Sequence, residues 1–311
     1  MNPSSEKPAV MVVGSFNMDL SMRSPRMPVA GETILGGPFT TGPGGKGANQ
    51  AVAAARLGAK TTMLVKLGKD VFGDQAAQNL IKEGIAPEFI LRTSETHTGV
   101  AFIIVDDQGE NEIIVASGAN FAITLEDVEA ARPAIEAADI LLLQLEVPLD
   151  VTFRAAQIAH AAGVKVVLNP APGQALPDEL LRMVDVLTPN ETEAQIISGL
   201  PVTNVTEAEA AAAHLIQTGV GAVVMTLGAK GALVATKAGN QRVAGYKVTV
   251  VDTTGAGDAF SGALCVALAE GKALDLAASF ANAAAALQVT KPGTAPAMPY
   301  RQEVDALVAQ I

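Results

Sequence analysis

The stretch from Val250 to Leu264, VVDTTGAGDAFSGAL, concentrates residue types that handle phosphate. Gly255, Ala256 and Gly257 are followed at once by Asp258. Glycines there let the backbone turn sharply and bring bare N–H groups close to a ligand. The residues before, Tyr246 to Val251, are rich in β-branched and aromatic types and are predicted to form a strand. The residues after, Ala259 to Glu270, carry apolar side chains at helical spacing, with Gly271 as a stop. The turn therefore opens a helix, whose first amides lack partners and attract an anion. A carboxylate on that same turn would be repelled by a phosphate, unless Asp258 faces an attacking hydroxyl and takes its proton. The alternative is structural, with Asp258 as a first-turn residue favoured by the helix dipole. On this stretch alone both readings stand.

The elements that must position such a site follow from the chain in order. Residues 1–8 are polar and predicted to be a flexible tail. Ala9 to Val13 is a buried strand, and Asn17 and Asp19 stand at its exit, where open α/β sheets place ligand contacts; an Asx turn would use the same residues. Pro25, Pro28, Gly31 and Gly36 to Pro38 break up an extension with a short strand-like piece, Thr33 to Leu35. Gly42-Pro43-Gly44-Gly45-Lys46-Gly47-Ala48-Asn49-Gln50 then opens a helix, Ala48 to Leu57, closed by Gly58. Gly42, Gly44 and Gly47 satisfy the dinucleotide pattern G-x-G-x-x-G, but a true fingerprint follows its strand immediately, and here Gly14 to Gly42 intervene. The P-loop pattern fails too, with Thr40 at its first glycine and Gly47 after the lysine. A glycine turn presenting Lys46 and Asn49 at a helix start remains, suited to a polyhydroxyl or phosphate ligand or to structure alone.

Thr61 to Leu67 is a predicted strand and Gln75 to Glu83 a helix. Thr98 to Asp106 and Glu112 to Ala116 form a hairpin around Asp107-Gln108-Gly109-Glu110; with the segment near Thr33 they make a small separate sheet. From Thr124, where Thr124 and Asp127 resemble a capping box, strands and helices alternate. Ile140 to Leu143 leads to Gln144-Leu145-Glu146, and helix Val151 to Ala162 to strand Val164 to Leu168. Val184 to Leu187 leads to Thr188-Pro189-Asn190-Glu191-Thr192-Glu193. A helix capped by Thr206 and Glu209 precedes Ala222 to Leu227 and Gly228-Ala229-Lys230-Gly231. This repetition predicts an α/β fold, a mainly parallel sheet with helices on both faces in a Rossmann-type three-layer arrangement. Asn17, Glu146, Asn190, Glu193, Gly228 and Asp258 all fall just after strands and so converge on one sheet edge, which favours an active site.

Composition bounds the partners. The chain has 311 residues, 49% hydrophobic and 17% charged, with a formal net charge of −11. That size allows two domains or one large α/β domain, and that charge argues against nucleic acid as a partner. The single cysteine, Cys265, excludes an internal disulfide, and its small apolar neighbours suit a buried thiol. His97, His160 and His214 lack metal-ligand spacing. No secretory signal or membrane-length apolar run is visible, so a cytoplasmic protein is expected.

Three motifs together are similar to the ribokinase-like family of carbohydrate kinases: Gly44 to Gln50, Pro189 to Glu193, and Asp252 to Asp258. The resemblance runs from about Val10 to Ile311, in the family's motif order. It implies a kinase domain over 9–311 with a β lid from about 20–43 and 98–118, pairing with a second subunit in a homodimer. Asp258 matches the base that deprotonates a sugar hydroxyl, and Gly255, Ala256 and Gly257 an anion hole. Asn17, Met18, Asp19, Gly45, Lys46, Gly47, Ala48, Asn49 and Glu146 match sugar-binding positions. Asn190, Thr226, Leu227, Gly228, Ala229, Lys230, Gly231 and Asn282, with Gly257 and Asp258, match ATP-binding positions. Glu193 matches an acidic residue organising Mg²⁺ through water. Asp252, Thr254, Gln288, Lys291, Gly293 and Ala297 match a K⁺ site, mostly through backbone carbonyls; members often carry a small hydroxyl residue where Ala297 stands. Gly14 to Asp19, Gln144 to Glu146 and Asn169 to Pro172 resemble members that phosphorylate the 5-hydroxyl of D-ribose. The alternatives are another acceptor of the same family (2-deoxyribose, fructose, adenosine or pseudouridine), an NAD-dependent dehydrogenase, or a non-catalytic sugar-binding protein.

Overall fold

The computed structural model describes residues 7–108 and 110–310. Most of the expected tail, residues 1–6, and Gly109 of the hairpin loop lie outside them. Pro8 is already tied to the sheet, its carbonyl accepting the Lys60 N–H at 2.8 Å.

The main sheet has nine strands: Ala9–Val13 (β1), Lys60–Gly68 (β4), Ile90–Thr93 (β5), Ile140–Leu143 (β8), Lys165–Leu168 (β9), Val186–Leu187 (β10), Ala222–Thr226 (β11), Ala232–Thr236 (β12) and Gly239–Val243 (β13). Their order is β13-β12-β11-β10-β9-β8-β1-β4-β5. The strands from β11 to β5 run parallel, and β12 and β13 pair antiparallel at one edge. The chain starts in β1, builds outward to β5, then returns to β8 on the other side of β1. A crevice opens at such a reversal, beyond the carboxyl ends of the strands.

The apolar strands divide their side chains between two cores. Val10 and Val12 of β1 face one, Met11 and Val13 the other, as the period of two requires. Helices Lys46–Arg56 (α1) and Val71–Lys82 (α2) cover the first face. Leu125–Glu136 (α3), Leu149–Ala162 (α4), Asp178–Leu181 (α5), Glu191–Ser198 (α6) and Val205–Thr218 (α7) cover the second. Ala256–Ala269 (α8), Leu274–Gln288 (α9) and Arg301–Val308 (α10) return to the first. The three-layer α/β class expected from the pattern is the one observed.

A second sheet has the order β3-β2-β6-β7, with strands Asn17–Arg23 (β2), Phe39–Gly44 (β3), Val100–Val105 (β6) and Asn111–Ala116 (β7). β2 pairs antiparallel with β3 and parallel with β6, and β6 and β7 form a hairpin.

Several local expectations are corrected. Thr33 to Leu35 forms no strand; the pairing runs go to β2 and β3, and the proline- and glycine-broken piece between them loops over Met22 and Ile104. Tyr246 to Val251 has strand-like residues but no ladder partner, because the sheet ends at β13 and the chain turns toward α9. There the Asn282 side chain donates to the carbonyls of Val243 and Ala244 at 3.2 and 3.1 Å. Asp258 therefore does not follow a strand. Helix α7 is capped by Asn204, whose side chain accepts the Glu207 N–H at 3.0 Å, and not by Thr206 with Glu209. Strand β5 and helix α6 were not expected; α6 hides within the polar Asn190 to Glu193 motif.

Candidate active site

Helix α8 begins at Ala256, three residues before the apolar spacing predicts, so Gly257 and Asp258 belong to its first turn. Its cap, Gly255, has φ 89°, a left-handed conformation that only glycine adopts without strain. The Ala256 N–H closes the turn onto the Thr253 carbonyl at 3.3 Å. Asp258 is 6% exposed. Its Oδ2 accepts from Asn49 Nδ2 and its Oδ1 from Gln50 Nε2, both at 2.9 Å. These donors come from successive residues of α1, which crosses α8 closely. A Cβ at Gly262 would lie 2.7 Å from the Ala53 Cβ and from the Gln50 carbonyl oxygen. The absence of a side chain at Gly262 is what lets the amides of α1 reach the carboxylate of α8.

Asp258 and Gly257 line a cavity of about 210 Å³ together with Lys46, Asn190, Glu193, Thr226 and Gly255, all flagged from the sequence. Asn169, Ala171, Thr188 and Ser261 complete its wall. Burial would lower the Lys46 ammonium, but the charges of Asp258, Glu146 and Glu193 outweigh it and hold the group above its ordinary value. Lys46 thus stays a cation among carboxylates.

Beside this cavity the Glu146 carboxylate accepts from the Lys46 N–H at 2.9 Å and from Ser15 Oγ at 2.5 Å. Asn17 is buried, and its Oδ1 accepts from Asn120 Nδ2 at 2.9 Å. Asp19 Oδ2 faces Thr294 Oγ1 at 3.3 Å. Burial pushes the Asp19 carboxyl up to about 7, opposed by the Thr294 hydroxyl and reinforced by the charges of Glu146 and Asp258. Met18 and Ala48 are core residues, so only their backbone is left to face a ligand; the same holds for Leu227.

The positions matched to nucleotide binding carry structural bonds of their own. Asn190 caps α6 in a capping box: its Oδ1 accepts the Glu193 N–H, and Glu193 Oε2 accepts the Asn190 N–H, both at 2.8 Å. Burial raises the Glu193 carboxyl, against the lowering effect of the Asn190 amide and Lys46. Thr226 ends β11 beside Asn190, and Gly228–Lys230 follow in a 3₁₀ turn closed at Gly231. Asn282 lies under that edge, on the Val243 and Ala244 carbonyls. Among the described residues, no group of three or more His, Cys, Asp or Glu side chains is placed to hold a metal, and no helix is long and apolar enough to cross a membrane.

The residues matched to a monovalent cation also meet. Asp252 accepts from the amides of Thr254 and Gly293 at 2.9 and 3.0 Å. Burial works to raise its carboxyl, but those two amides win and hold it below the usual range. Gln288 Nε2 donates to the carbonyls of Thr254 and Gly293 at 2.6 and 3.0 Å, so both carbonyls converge on one point. Gln288 Oε1 is a buried acceptor without a partner. This is an oxygen-rich set of the kind a hard monovalent cation takes, provided the Gln288 amide turns to present Oε1. Lys291 points its ammonium to Glu303 at 2.8 Å, and Ala297 is buried.

The pfkB family carbohydrate kinase profile matches residues 7–301. The chain belongs to the pfkB family of carbohydrate kinases. Ribokinase of Haemophilus influenzae is 46% identical to this kinase over 292 residues, which is 94% of this chain and 95% of that one. Deoxyribokinase of Salmonella typhi is 38% identical over 93% of this chain and 95% of that one. The solved structure of Arabidopsis thaliana ribokinase complexed with ribose and ATP superposes with a TM-score of 0.90 at 35% identity, covering 97% of this chain and 99% of that one.

Several residues that build the kinase's site were not flagged as site residues from the sequence: Ser15, Gln50, Asn120, Asn169, Thr188, Ser261 and Thr294. Gln50 and Asn169 stand inside the motifs quoted for the family, which was a usable signal. Asn120 sits in a short 3₁₀ helix and Thr294 in a loop, neither with a pattern around it, and only the fold brings them to Asn17 and Asp19.

Proposed function

We propose that this kinase transfers the γ-phosphoryl group of ATP to the 5-hydroxyl of D-ribose, giving D-ribose 5-phosphate and ADP. The observation that carries this reading is Asp258, a carboxylate on the first turn of α8, lining one cavity with Gly255 and Gly257. A base and a set of anion-seeking amides on one turn suit a reaction that deprotonates a hydroxyl and delivers it to phosphorus. Asp258 takes the proton from the sugar O5–H. O5 forms the new bond to Pγ, and the bond from Pγ to the β–γ bridging oxygen breaks, its electron pair leaving with ADP. Of the expected anion-hole turn, the amides of Gly255 and Gly257 meet the charge of the phosphoryl group as it passes, and Ala256, whose N–H is held by the Thr253 carbonyl, fixes the turn. Positioning and charge neutralisation carry most of such a reaction; a lost anion-hole donor typically costs about 10²–10³ in rate.

Glu146, Lys46, Asn49, Asn17 and Asp19 hold the sugar hydroxyls in this account, and Asn190, the loop from Thr226 to Gly231, and Asn282 flank the nucleotide. Mg²⁺ bound with the nucleotide supplies neutralisation of the phosphate charge, with Glu193 on the cavity wall to organise its waters. The Asp252, Thr254, Gln288 and Gly293 cluster would hold K⁺, which would there supply a positive charge that fixes the loop carrying the anion-hole amides. The small sheet acts as a lid over the sugar and pairs two subunits. Its exposed Phe102 and Ile114 are apolar cross-strand partners, which supports that reading. The enzyme works in the cytoplasm, with ATP as co-substrate.

The ribokinase names of relatives support D-ribose as acceptor, and the deoxyribokinase relative keeps 2-deoxy-D-ribose as the second reading. The test is ATP consumption with D-ribose, 2-deoxy-D-ribose, D-fructose and adenosine in parallel, with Mg²⁺ and K⁺ present. A kcat/KM preference for ribose of about 10² or more is the expected result, since a site that hydrogen-bonds a hydroxyl strongly rejects the analogue lacking it. A flat profile overturns the choice of sugar.

A further inference from the structure

Beside Asp258 lies a buried chain of side-chain amides that runs from the cavity wall at Thr188 and Asn169 back to Gln144. Gln144 Nε2 donates to Gln50 Oε1 at 2.6 Å. Gln50 Nε2 donates to Asp258 Oδ1 and to Asn169 Oδ1, each at 2.9 Å. Asn169 Nδ2 donates to the Thr188 carbonyl at 2.9 Å. Gln50 and Gln144 are both 0% exposed, so the bond between these two amides is closed to water.

The direction of this chain is fixed from one end. A carbonyl oxygen can only accept, so Asn169 must turn its nitrogen to Thr188 and its oxygen to Gln50. Gln50 must then present its nitrogen, with one proton for Asn169 and the other for Asp258. Its oxygen is left for Gln144, which must present nitrogen in turn. The cost appears at the far end, where Gln144 Oε1 is a buried acceptor with no partner. An orphan of that kind is expensive, and turning the Gln144 amide to rescue it would set two oxygens against each other at Gln50.

We propose that Gln50 is a positioning residue for phosphoryl transfer: the Thr188–Asn169–Gln50 relay fixes its amide so that a donor always meets Asp258 Oδ1, holding that carboxylate in one orientation and leaving Oδ2 as the oxygen that takes the sugar proton. Asn49, which donates to Oδ2, stands outside this relay and keeps an unpartnered Oδ1; every polar atom of the Gln50 amide is already engaged. This rests on the reading of Asp258 as base.

The experiment compares kcat against pH for the wild type, Gln50→Met, Gln144→Met and Asp258→Asn, in the full chain with D-ribose and MgATP, beside D-ribose binding and thermal melting. Hydrogen bonds to a carboxylate favour its charged form. Gln50→Met is expected to move the acid limb of kcat up by about one pH unit or more and to lower kcat about tenfold at neutral pH, with D-ribose affinity within about twofold. Gln144→Met leaves the Thr188–Asn169 end of the relay intact and is expected to leave the acid limb in place. An unmoved acid limb in folded Gln50→Met overturns the proposal, as does an equal shift in Gln144→Met. If Gln50→Met does not fold, Asn169→Ser, which loosens the same amide, carries the expectation of a smaller upward shift, and an unmoved limb there overturns it. Retained turnover in Asp258→Asn would instead sink the base itself, which separates the two failures.

Discussion

Asn49 and Asp258, 209 residues apart in sequence, meet side chain to side chain at 2.9 Å, Nδ2 donating to Oδ2. Asn49 Oδ1 is at the same time a buried acceptor with no partner. Asn49 is therefore half satisfied by the proposed base and half available, which suits a residue that must also hold a sugar hydroxyl. Losing it removes a donor to a charged group, and such bonds contribute about 1.5–3 kcal/mol. Asn49→Ala should raise KM for D-ribose by at least about tenfold and lower kcat as well, measured by steady-state kinetics. An unchanged KM would remove Asn49 from the sugar site.

Asp19 gives the kinase a pH signature. Its carboxyl is pushed up to about 7 by burial, with the Thr294 hydroxyl opposing and the Glu146 and Asp258 charges adding to it. The folded protein then holds a proton that the unfolded chain has already lost. Stability from this group is full below the ordinary aspartate range and is lost as pH rises toward about 7. Melting temperature measured across that window should fall with rising pH more steeply in the wild type than in Asp19→Asn. Parallel curves would contradict the shift.

Much of this was legible in the sequence, and the misses have physical causes. The first turn of α8 was readable because glycines, a carboxylate and an apolar helical period stand in register. Its feeding segment, Tyr246 to Val251, was misread because β-propensity reports residue types suited to a pleated surface, not the presence of a neighbouring strand. Glu193 and Asn190 read as ligand-facing polar residues, yet their capping box opens a helix too short and too polar to show an apolar period. Thr294 could not be found at all. Its hydroxyl reaches Asp19 Oδ2 and the Pro43 carbonyl only because the fold brings those distant segments together.

The small sheet, proposed above as a lid, carries a prediction about assembly. Phe102 and Ile114 pair across strands at 51% and 73% exposure, and register puts Met22 and Phe39 on the same face. Sedimentation at micromolar concentration should give a dimer, and Phe102→Asp with Ile114→Asp should give a folded monomer. A wild-type monomer would contradict the pairing role of the lid.

The proposed cation site rests on Gln288, whose amide nitrogen ties the carbonyls of Thr254 and Gly293. Replacing K⁺ by Na⁺ at constant ionic strength should lower kcat severalfold, read by coupled ADP release. Equal turnover in K⁺, Na⁺ and choline would mean that the Gln288 amide alone holds this loop.

The most direct test of the account is D-ribose-dependent ADP release by Asp258→Ala beside the wild type, with D-ribose and nucleotide binding measured on both. A positioned base contributes roughly 10²–10⁴. The account predicts a loss of at least about two orders of magnitude in kcat from a folded variant that still binds both substrates. Near-normal turnover in that variant would contradict it.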